Sequence, residues 1–139
     1  MNAAMDHARI IATPGWVRPI GHVGGVVARG RHIFLAGQVG WDEQAQFTTT
    51  DLVGQVRQTL SNIVTLLAQA GAGPEHVTRM TWYLVDKADY QRRLPEIALA
   101  YAELFGRQFP PMTAVAVHSL MHDEALVEID LTAVVDDDD

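Results

Sequence analysis

The stretch Leu126-Val127-Glu128-Ile129-Asp130-Leu131-Thr132-Ala133-Val134 decides the fold class of this chain. Apolar and polar residues alternate strictly along it, which is the period of a strand with one face buried. The apolar face, formed by every second residue from Val127 to Ala133, needs a layer of helix over it. The opposite face carries Glu128 and Asp130, and these carboxylates belong either to a solvated surface or to a reactive site.

Two helices are predicted ahead of this strand. From Thr50 to Gly71, apolar residues recur every three or four positions, which predicts an amphipathic helix with Thr50 and Asp51 at its start and Gly71 at its end. A second helix is predicted from Pro95, in its first turn, to Gly106. Further strands are predicted at 23–27, 31–36, 77–85 and 113–117, with Gly37 ending the second of them and a turn at 86–90. This order predicts an α+β sandwich, in which two helices cover one face of a mixed sheet.

Length and composition predict one domain. The chain has 139 residues, of which 48% are hydrophobic, enough for one sizeable core. Cysteine is absent, which excludes disulfides, cysteine nucleophiles and cysteine-ligated metals. Four of the formal −7 charges come from Asp136 to Asp139. We therefore expect an irregular N-terminal segment at 1–18, a single domain at 19–135 and a disordered acidic tail at 136–139.

Several classes of function are disfavoured by what the chain carries. Its start lacks the apolar core of a secretory signal, and no apolar run reaches the roughly 18 residues of a membrane span, so we expect a cytoplasmic protein without a membrane partner. Nucleic acid is not an expected partner, because the ten basic residues are scattered. Neither serine lies in a nucleophile elbow, which disfavours a serine hydrolase. The one lysine, Lys87, lies between acids in a predicted turn, which disfavours Schiff-base chemistry.

Histidines and glycines suggest further sites, but their context does not support them. His118 and His122 have the spacing of a helical metal pair, yet they lie in a predicted strand and loop, so no metal site is expected. The glycines at 21–25 are not followed by a helix, and a phosphate-binding loop is disfavoured. Glu128 and Asp130 lie about 6.5 Å apart along one strand face, a separation that suits a pair handling water and equally suits a solvated strand.

An ordered set of short segments resembles the RidA/YjgF family. The segments run in family order over nearly the whole chain, and they are Pro19-Ile20-Gly21, Ile33-Phe34-Leu35-Ala36-Gly37-Gln38, Ala68-Gln69-Ala70-Gly71, 101–106, Phe109-Pro110 and Leu126-Val127-Glu128-Ile129-Asp130. The resemblance implies the chorismate-mutase-like α+β fold. It also implies a homotrimer whose sheets form a central barrel, with three clefts between the subunits.

The resemblance further implies a chemistry and a site. The family's archetype hydrolyses enamines and imines such as 2-aminoacrylate to a 2-oxo acid and ammonia, without a metal or an organic cofactor. Glu128 matches the glutamate that positions or activates water. Gly37 and Ala114 match positions that offer backbone groups to the ligand, and Ala36 stands where the family has serine or threonine.

This chain departs from the family pattern where the substrate carboxylate is held. Met112 stands in place of the family's arginine, and Val23 in place of a tyrosine. A charge-assisted bond to a carboxylate contributes about 1.5–3 kcal/mol, so small imino acids should bind about ten- to a hundredfold more weakly. We expect a more apolar pocket, walled in part by Met112 and Val23, with Arg18 as a candidate replacement anchor. Met112 and Trp41-Asp42 resemble a divergent branch of the family.

Two hypotheses follow for this chain. The first is a divergent enamine or imine deaminase acting at an intersubunit cleft, with Glu128 as the group that accepts a proton from water. The second is a non-catalytic trimer that binds a small metabolite, such as a 2-oxo acid, in which Glu128 only hydrogen-bonds the ligand. Ribonuclease or chaperone-like activity is a weaker third reading, because the folded body has no basic track.

Overall fold

A four-stranded mixed sheet with helices on one face forms the body of the chain. The computed structural model describes residues 8–20 and 22–137. The strands are β1 (Ala8–Ile11), β2 (Gly25–Ala28), β3 (Arg31–Val39), β4 (Val77–Leu84), β5 (Met112–Ala116) and β6 (Val127–Val135). The helices are α1 (Leu52–Gln69), α2 (Lys87–Arg92) and α3 (Leu94–Phe105), and a 3-10 turn (Pro74–His76) precedes β4.

The order of strands in the main sheet is β3-β6-β4-β5. The interior strand β6 pairs antiparallel with both β3 and β4, whereas β4 and β5 are parallel. Parallel neighbours need a long crossover, and α2 with α3 supplies it. The predicted α+β sandwich with a mixed sheet is confirmed.

The core lies between the sheet and the helices α1 and α3. On β6, Val127, Ile129 and Ala133 are 0% exposed, as the alternating pattern predicts. The stripe of α1 that faces them is equally buried, and it consists of Val56, Leu60, Ile63 and Leu67. Asp51 caps α1 by accepting a hydrogen bond from the backbone N–H of Gly54 at 3.0 Å. Both predicted helices are therefore confirmed on the same face.

The second face of the sheet carries polar and exposed residues. Arg79 and Thr113 are exposed there, and Glu128 and Asp130 are half-buried. Phe34 is 73% exposed. No helix of the described chain covers this face, which is the uncovered face that the sequence predicted.

Three local predictions differ from the structure. The segment 86–90, predicted as a turn, leads into the short helix α2, because the Asp86 side chain accepts from the N–H of Asp89 and caps it. Part of the N-terminal segment predicted as irregular forms β1, which pairs antiparallel with β2. Gly37 does not end its strand, because β3 continues to Val39 through a bulge.

Some predictions fall outside the described residues. They concern Met1 to His7 of the N-terminal segment, Gly21 of the glycine-rich stretch, and the last two aspartates of the tail. The three-part division of the chain therefore stays a prediction. Among residues 8–20 and 22–137, no helix combines the length and the apolar character needed to cross a bilayer.

Candidate functional site

Glu128 projects from the interior strand β6 on the face without helices. The register places it opposite Val39 of β3 and Tyr83 of β4. Its chain neighbours Val127 and Ile129 are fully buried on the helix side, so the strand alternation directs Glu128 to the other face. The residue is half-buried, which leaves its carboxylate accessible to a ligand or to water.

Gly37 makes room for the Glu128 side chain. The pairing of β3 with β6 shifts register between Leu35 and Gln38, which marks a bulge at Ala36 and Gly37. A Cβ atom at Gly37 would lie 2.8 Å from Cδ and 3.0 Å from Cγ of Glu128, and it would come still closer to Oε2. Real side chains do not approach that closely, so only glycine lets the carboxylate rest there. The glycine and the glutamate form one unit of the site.

Asp130, the second acid on this face, has a different environment. The hydroxyl of Tyr83 donates a hydrogen bond to its Oδ2 at 3.1 Å. This bond, followed by the negative charge of Asp130, raises the pKa of the Tyr83 hydroxyl above its ordinary value. Glu128 makes no side-chain hydrogen bond to any residue that the structure describes, so its carboxylate is available for other partners. The two acids share a face as predicted, but they do not share a partner.

A shallow cleft lies on the open face of the sheet, across β3, β6 and β4. Ala36 and Gly37 form one side of it, and Arg79, Thr81 and Tyr83 of β4 form the other. Ala36 is exposed, so the predicted position beside the bulge does reach the cleft. The carboxylate in this lining is that of Asp130, and Glu128 adjoins the cleft through its close approach to Gly37. The structure thus places three of the predicted site residues near one another, which are Glu128, Gly37 and Ala36.

Met112 and Ala114 lie on the opposite face of the same sheet. The register of β5 pairs Met112 with Met80, and Ala114 with Trp82. Met80 and Trp82 are buried at 2% and 1% exposure on the helix side, so Met112 and Ala114 face that side as well. Within one chain, the predicted ligand-binding positions on β5 therefore do not share a site with Glu128.

A second and larger cleft opens beside Met112 and Ala114. It has a volume of about 450 Å³ and lies between the sheet edge formed by β4 and β5 and the helices α2 and α3. Most of its walls are aromatic or aliphatic, and they include Trp82, Tyr90, Ile97, Tyr101 and Phe109. Burial raises the pKa of the Tyr90 and Tyr101 hydroxyls. The hydroxyl of Tyr101 donates to the carbonyl of Gln108.

These aromatic walls were not predicted from the sequence. Trp82 is buried on β4, and Tyr101 is half-buried on α3. The pairing of β4 with β5, which has no local sequence signal, brings Trp82 beside Met112 and Ala114. An aromatic residue on each of several neighbouring elements is the signal that could have suggested a pocket.

Val23 borders two clefts. One has a volume of about 280 Å³ and walls that include Arg9 and Arg107. The other, of about 390 Å³, is lined by Val23 and Met112 together, as the sequence predicted, and also by Arg79. Arg18 is exposed in the segment between β1 and β2. His22, which lies within the glycine-rich stretch at 21–25, borders the apolar cleft of Met112. Neither Val23 nor Arg18 is brought to Glu128 within one chain.

The histidine pair has a structural role in part. The ring of His122 packs edge-on against Trp41, with ring centroids 4.6 Å apart. Among residues 8–20 and 22–137, no group of three or more histidine, aspartate and glutamate side chains is placed to hold a metal ion.

Comparison with known proteins identifies the family. A family model described as Endoribonuclease L-PSP matches residues 17–135. The RutC family protein PH0854 of Pyrococcus horikoshii is 34% identical over 125 residues, which are 89% of this chain and 95% of that protein. The Yersinia pestis protein YyfB, of the conserved Rid protein family, has a crystal structure that matches with a TM-score of 0.80 at 30% identity, over 93% of this chain and 99% of that one. This chain belongs to the Rid family.

Membership of the Rid family confirms both the fold class and the family resemblance that were predicted from the sequence. One Rid relative, from Capra hircus, is named 2-iminobutanoate/2-iminopropanoate deaminase and is 31% identical over 127 residues, which are 91% of this chain and 89% of that protein. The Yersinia Rid protein, in contrast, is described as a protein of unknown function. Because one Rid relative is named a deaminase and another has no stated function, membership of the family does not by itself assign a reaction to this chain.

Proposed function

We propose that this protein hydrolyses a reactive enamine or imine and releases ammonia, with Glu128 as the catalytic base. The observation that carries the proposal is the position of the Glu128 carboxylate, which packs against the backbone of Gly37. The carboxylate is half-buried and has no hydrogen-bond partner among the described side chains, so it can accept a proton from water. The deaminase name of the goat relative, 31% identical to this chain, supports the same chemistry.

The proposed reaction needs only water and a group that moves protons. Water adds to the carbon of the C=N bond, while its proton passes to a carboxylate oxygen of Glu128. Glu128 then returns the proton to the nitrogen, which gives a carbinolamine. As the carbonyl forms, Glu128 takes the proton of the adduct hydroxyl and passes it to the nitrogen, so the C–N bond breaks and ammonia leaves. An enamine enters the same route after it tautomerises to the imine.

The complete site is proposed to lie between copies of the chain. Met112 and Ala114 face the helix side of the sheet, whereas Glu128 faces the other side. A single chain cannot bring them to one ligand, but a neighbouring copy can. The uncovered sheet face, with its polar residues and exposed Phe34, is available for that contact in the predicted homotrimer. Exposed backbone at Gly37 of one copy and Ala114 of the next would then orient the ligand.

A test of the catalytic role compares Glu128→Gln with a matched surface variant. Ammonia release is followed with a panel of enamines generated in situ, and Glu43→Gln serves as control because Glu43 is exposed in the loop between β3 and α1. Loss of a general base should lower kcat/KM by about 100-fold or more, and the control should match the native protein. If no enamine turns over above the buffer rate, the proposal is wrong.

A second test asks whether the site is shared between copies. Ala114→Trp and Glu128→Gln should each be inactive alone. If the two residues act from different copies, each site takes residue 114 from one subunit and residue 128 from its neighbour. In a refolded equal mixture of the two variants, each of these positions is native in half of the cases, so about a quarter of the sites carry both native residues. Recovery of about a quarter of the native activity supports a shared cleft. Absence of any recovery places both residues in one chain or outside the site.

One observation favours the alternative of a non-catalytic binding trimer. None of the described residues that line the 450 Å³ cleft is an aspartate, glutamate, lysine or arginine. A small imino acid would therefore find no counter-charge within this cleft. Binding of a 2-oxo acid with no turnover of any imine would support this alternative.

A further inference from the structure

The apolar cleft beside Met112 has the features of a ligand pocket. Its volume of about 450 Å³ falls in the usual range for small-molecule sites. The floor is built from the sheet residues Met80, Trp82 and Ala114, and α3 forms a wall through Ile97 and Tyr101. The cleft therefore has rigid sides made by secondary structure, not by loops alone.

The charge of the cleft restricts what it can bind. Its described lining holds no formally charged side chain other than His22 when protonated. An unpaired carboxylate would lose its hydration there without gaining a partner. Aromatic side chains, in contrast, favour flat apolar groups. The lining selects against anions and in favour of uncharged rings.

One polar group of the lining lacks a partner. The indole Nε1 of Trp82 is buried, and it has no hydrogen-bond acceptor among the described residues. The Trp82 ring packs against Tyr90 with ring centroids 6.3 Å apart. An unsatisfied buried donor is costly and is rare in native proteins. A bound molecule with an acceptor atom within reach of Nε1 would satisfy this donor.

We infer that this cleft binds an uncharged aromatic group, and that the substrate is an imine with a large aromatic side chain. The second half of this inference rests on the proposed function, because it assigns the cleft to the tail of the substrate. The imine of an aromatic amino acid is the chemical class that fits. The imine of alanine would leave the cleft empty.

Binding is tested first, without any reaction. Acetophenone and benzoate carry the same ring, but only benzoate is an anion. Titration calorimetry should give acetophenone an affinity at least about tenfold higher. The variant Ala98→Phe should abolish that binding, because Ala98 lines the cleft from an exposed position of α3. Leu99→Phe is the matched control on the same helix, since Leu99 is 68% exposed and is not part of the lining.

Turnover is tested with imines made in situ by an amino-acid oxidase. The imine of phenylalanine should be hydrolysed with a kcat/KM at least about tenfold above that of the alanine imine. The variant Ala98→Phe should remove this preference, and Leu99→Phe should keep it. Ala102→Phe, one turn along the same wall, repeats the test if Ala98→Phe unfolds early in a thermal melt.

The outcomes separate this inference from the proposed function. Equal turnover of both imines, unaffected by Ala98→Phe but abolished by Glu128→Gln, overturns the inference and leaves the proposed function standing. Acetophenone binding that Ala98→Phe abolishes, without turnover of any imine, supports the cleft assignment and refutes the deaminase. Benzoate binding as strong as acetophenone binding overturns the inference directly.

Discussion

Replacing Gly37 with alanine tests whether the position of the Glu128 carboxylate affects the catalytic rate more than it affects the stability of the fold. The added methyl group would lie 2.8 Å from Cδ and 3.0 Å from Cγ of Glu128. These atoms belong to the outer part of a flexible side chain, which can rotate away. The backbone of Gly37 does not have a positive φ, so alanine is tolerated there. The substitution should therefore move the carboxylate and leave the strand in place.

The expected magnitudes follow from these contacts. A shift of Glu128 to a poorer rotamer costs about 0.5–1.5 kcal/mol. The lower backbone entropy of alanine in the unfolded chain offsets about 0.4–1 kcal/mol of this cost. The net change in the free energy of unfolding should stay within about 1 kcal/mol. Displacing a reacting group by about 1 Å lowers the rate by about 100-fold, so kcat/KM should fall by about that factor.

The assay combines thermal unfolding with ammonia release, and Gly40→Ala is the control. A Cβ atom at Gly40 would lie 2.7 Å from the carbonyl oxygen and 2.9 Å from the Cα of Gln55. These atoms belong to the backbone of α1, which cannot rotate away. Gly40→Ala should therefore lose about 1–3 kcal/mol of stability, and its folded fraction should stay active. If Gly37→Ala keeps both native activity and native stability, the position of the Glu128 carboxylate against Gly37 is not needed for the reaction.

Three further predictions address substrate binding and stability. Met112→Arg should raise activity on 2-aminoacrylate about ten- to a hundredfold in the ammonia assay; no gain would mean that the missing guanidinium does not limit this reaction. Gln55→Leu should lower the free energy of unfolding in urea by about 2–4 kcal/mol, because the Gln55 amide bonds the carbonyls of Thr49 and Glu124 and the N–H of Leu126. The N–H of Gly54, and then Arg93, hold the pKa of Asp51 below its ordinary 3.8, so its stabilisation is present above that pH and is lost as the pH falls. Asp51→Ala should cost about 0.5–2 kcal/mol at pH 7 and less at pH 3, and an equal cost at both values would contradict this assignment.

The regular half of the fold could be predicted from the sequence because it is periodic. The alternation from Val127 to Ala133 and the stripe from Val56 to Leu67 each report burial on one face, and tertiary packing did not override either. The short helix α2 was missed because six residues are too few to show a period. Its signal was the cap made by Asp86, which is equally common in turns.

The candidate site could be predicted only in part. Glu128 followed from the strand pattern and the family resemblance, and the strand pattern alone gave its face. The bulge at Gly37 could not be predicted, since glycine after a short apolar run more often indicates the end of a strand. The opposite orientation of Met112 depends on the register between β4 and β5, and no local sequence signal encodes that register.

Glu128 and Asp130 show how an irregular strand can give two similar acids different roles. Both lie on the same face of β6, and both have a neighbour on β4, yet only Asp130 accepts a hydrogen bond from the Tyr83 hydroxyl. On the β3 side, the register partner of Glu128 is Val39, which offers no side-chain hydrogen bond, and the bulge brings the bare backbone of Gly37 against the Glu128 carboxylate. A side chain at position 37 would displace the carboxylate from this place. Glu128 therefore keeps an open hydrogen-bonding capacity, which a group that activates water requires.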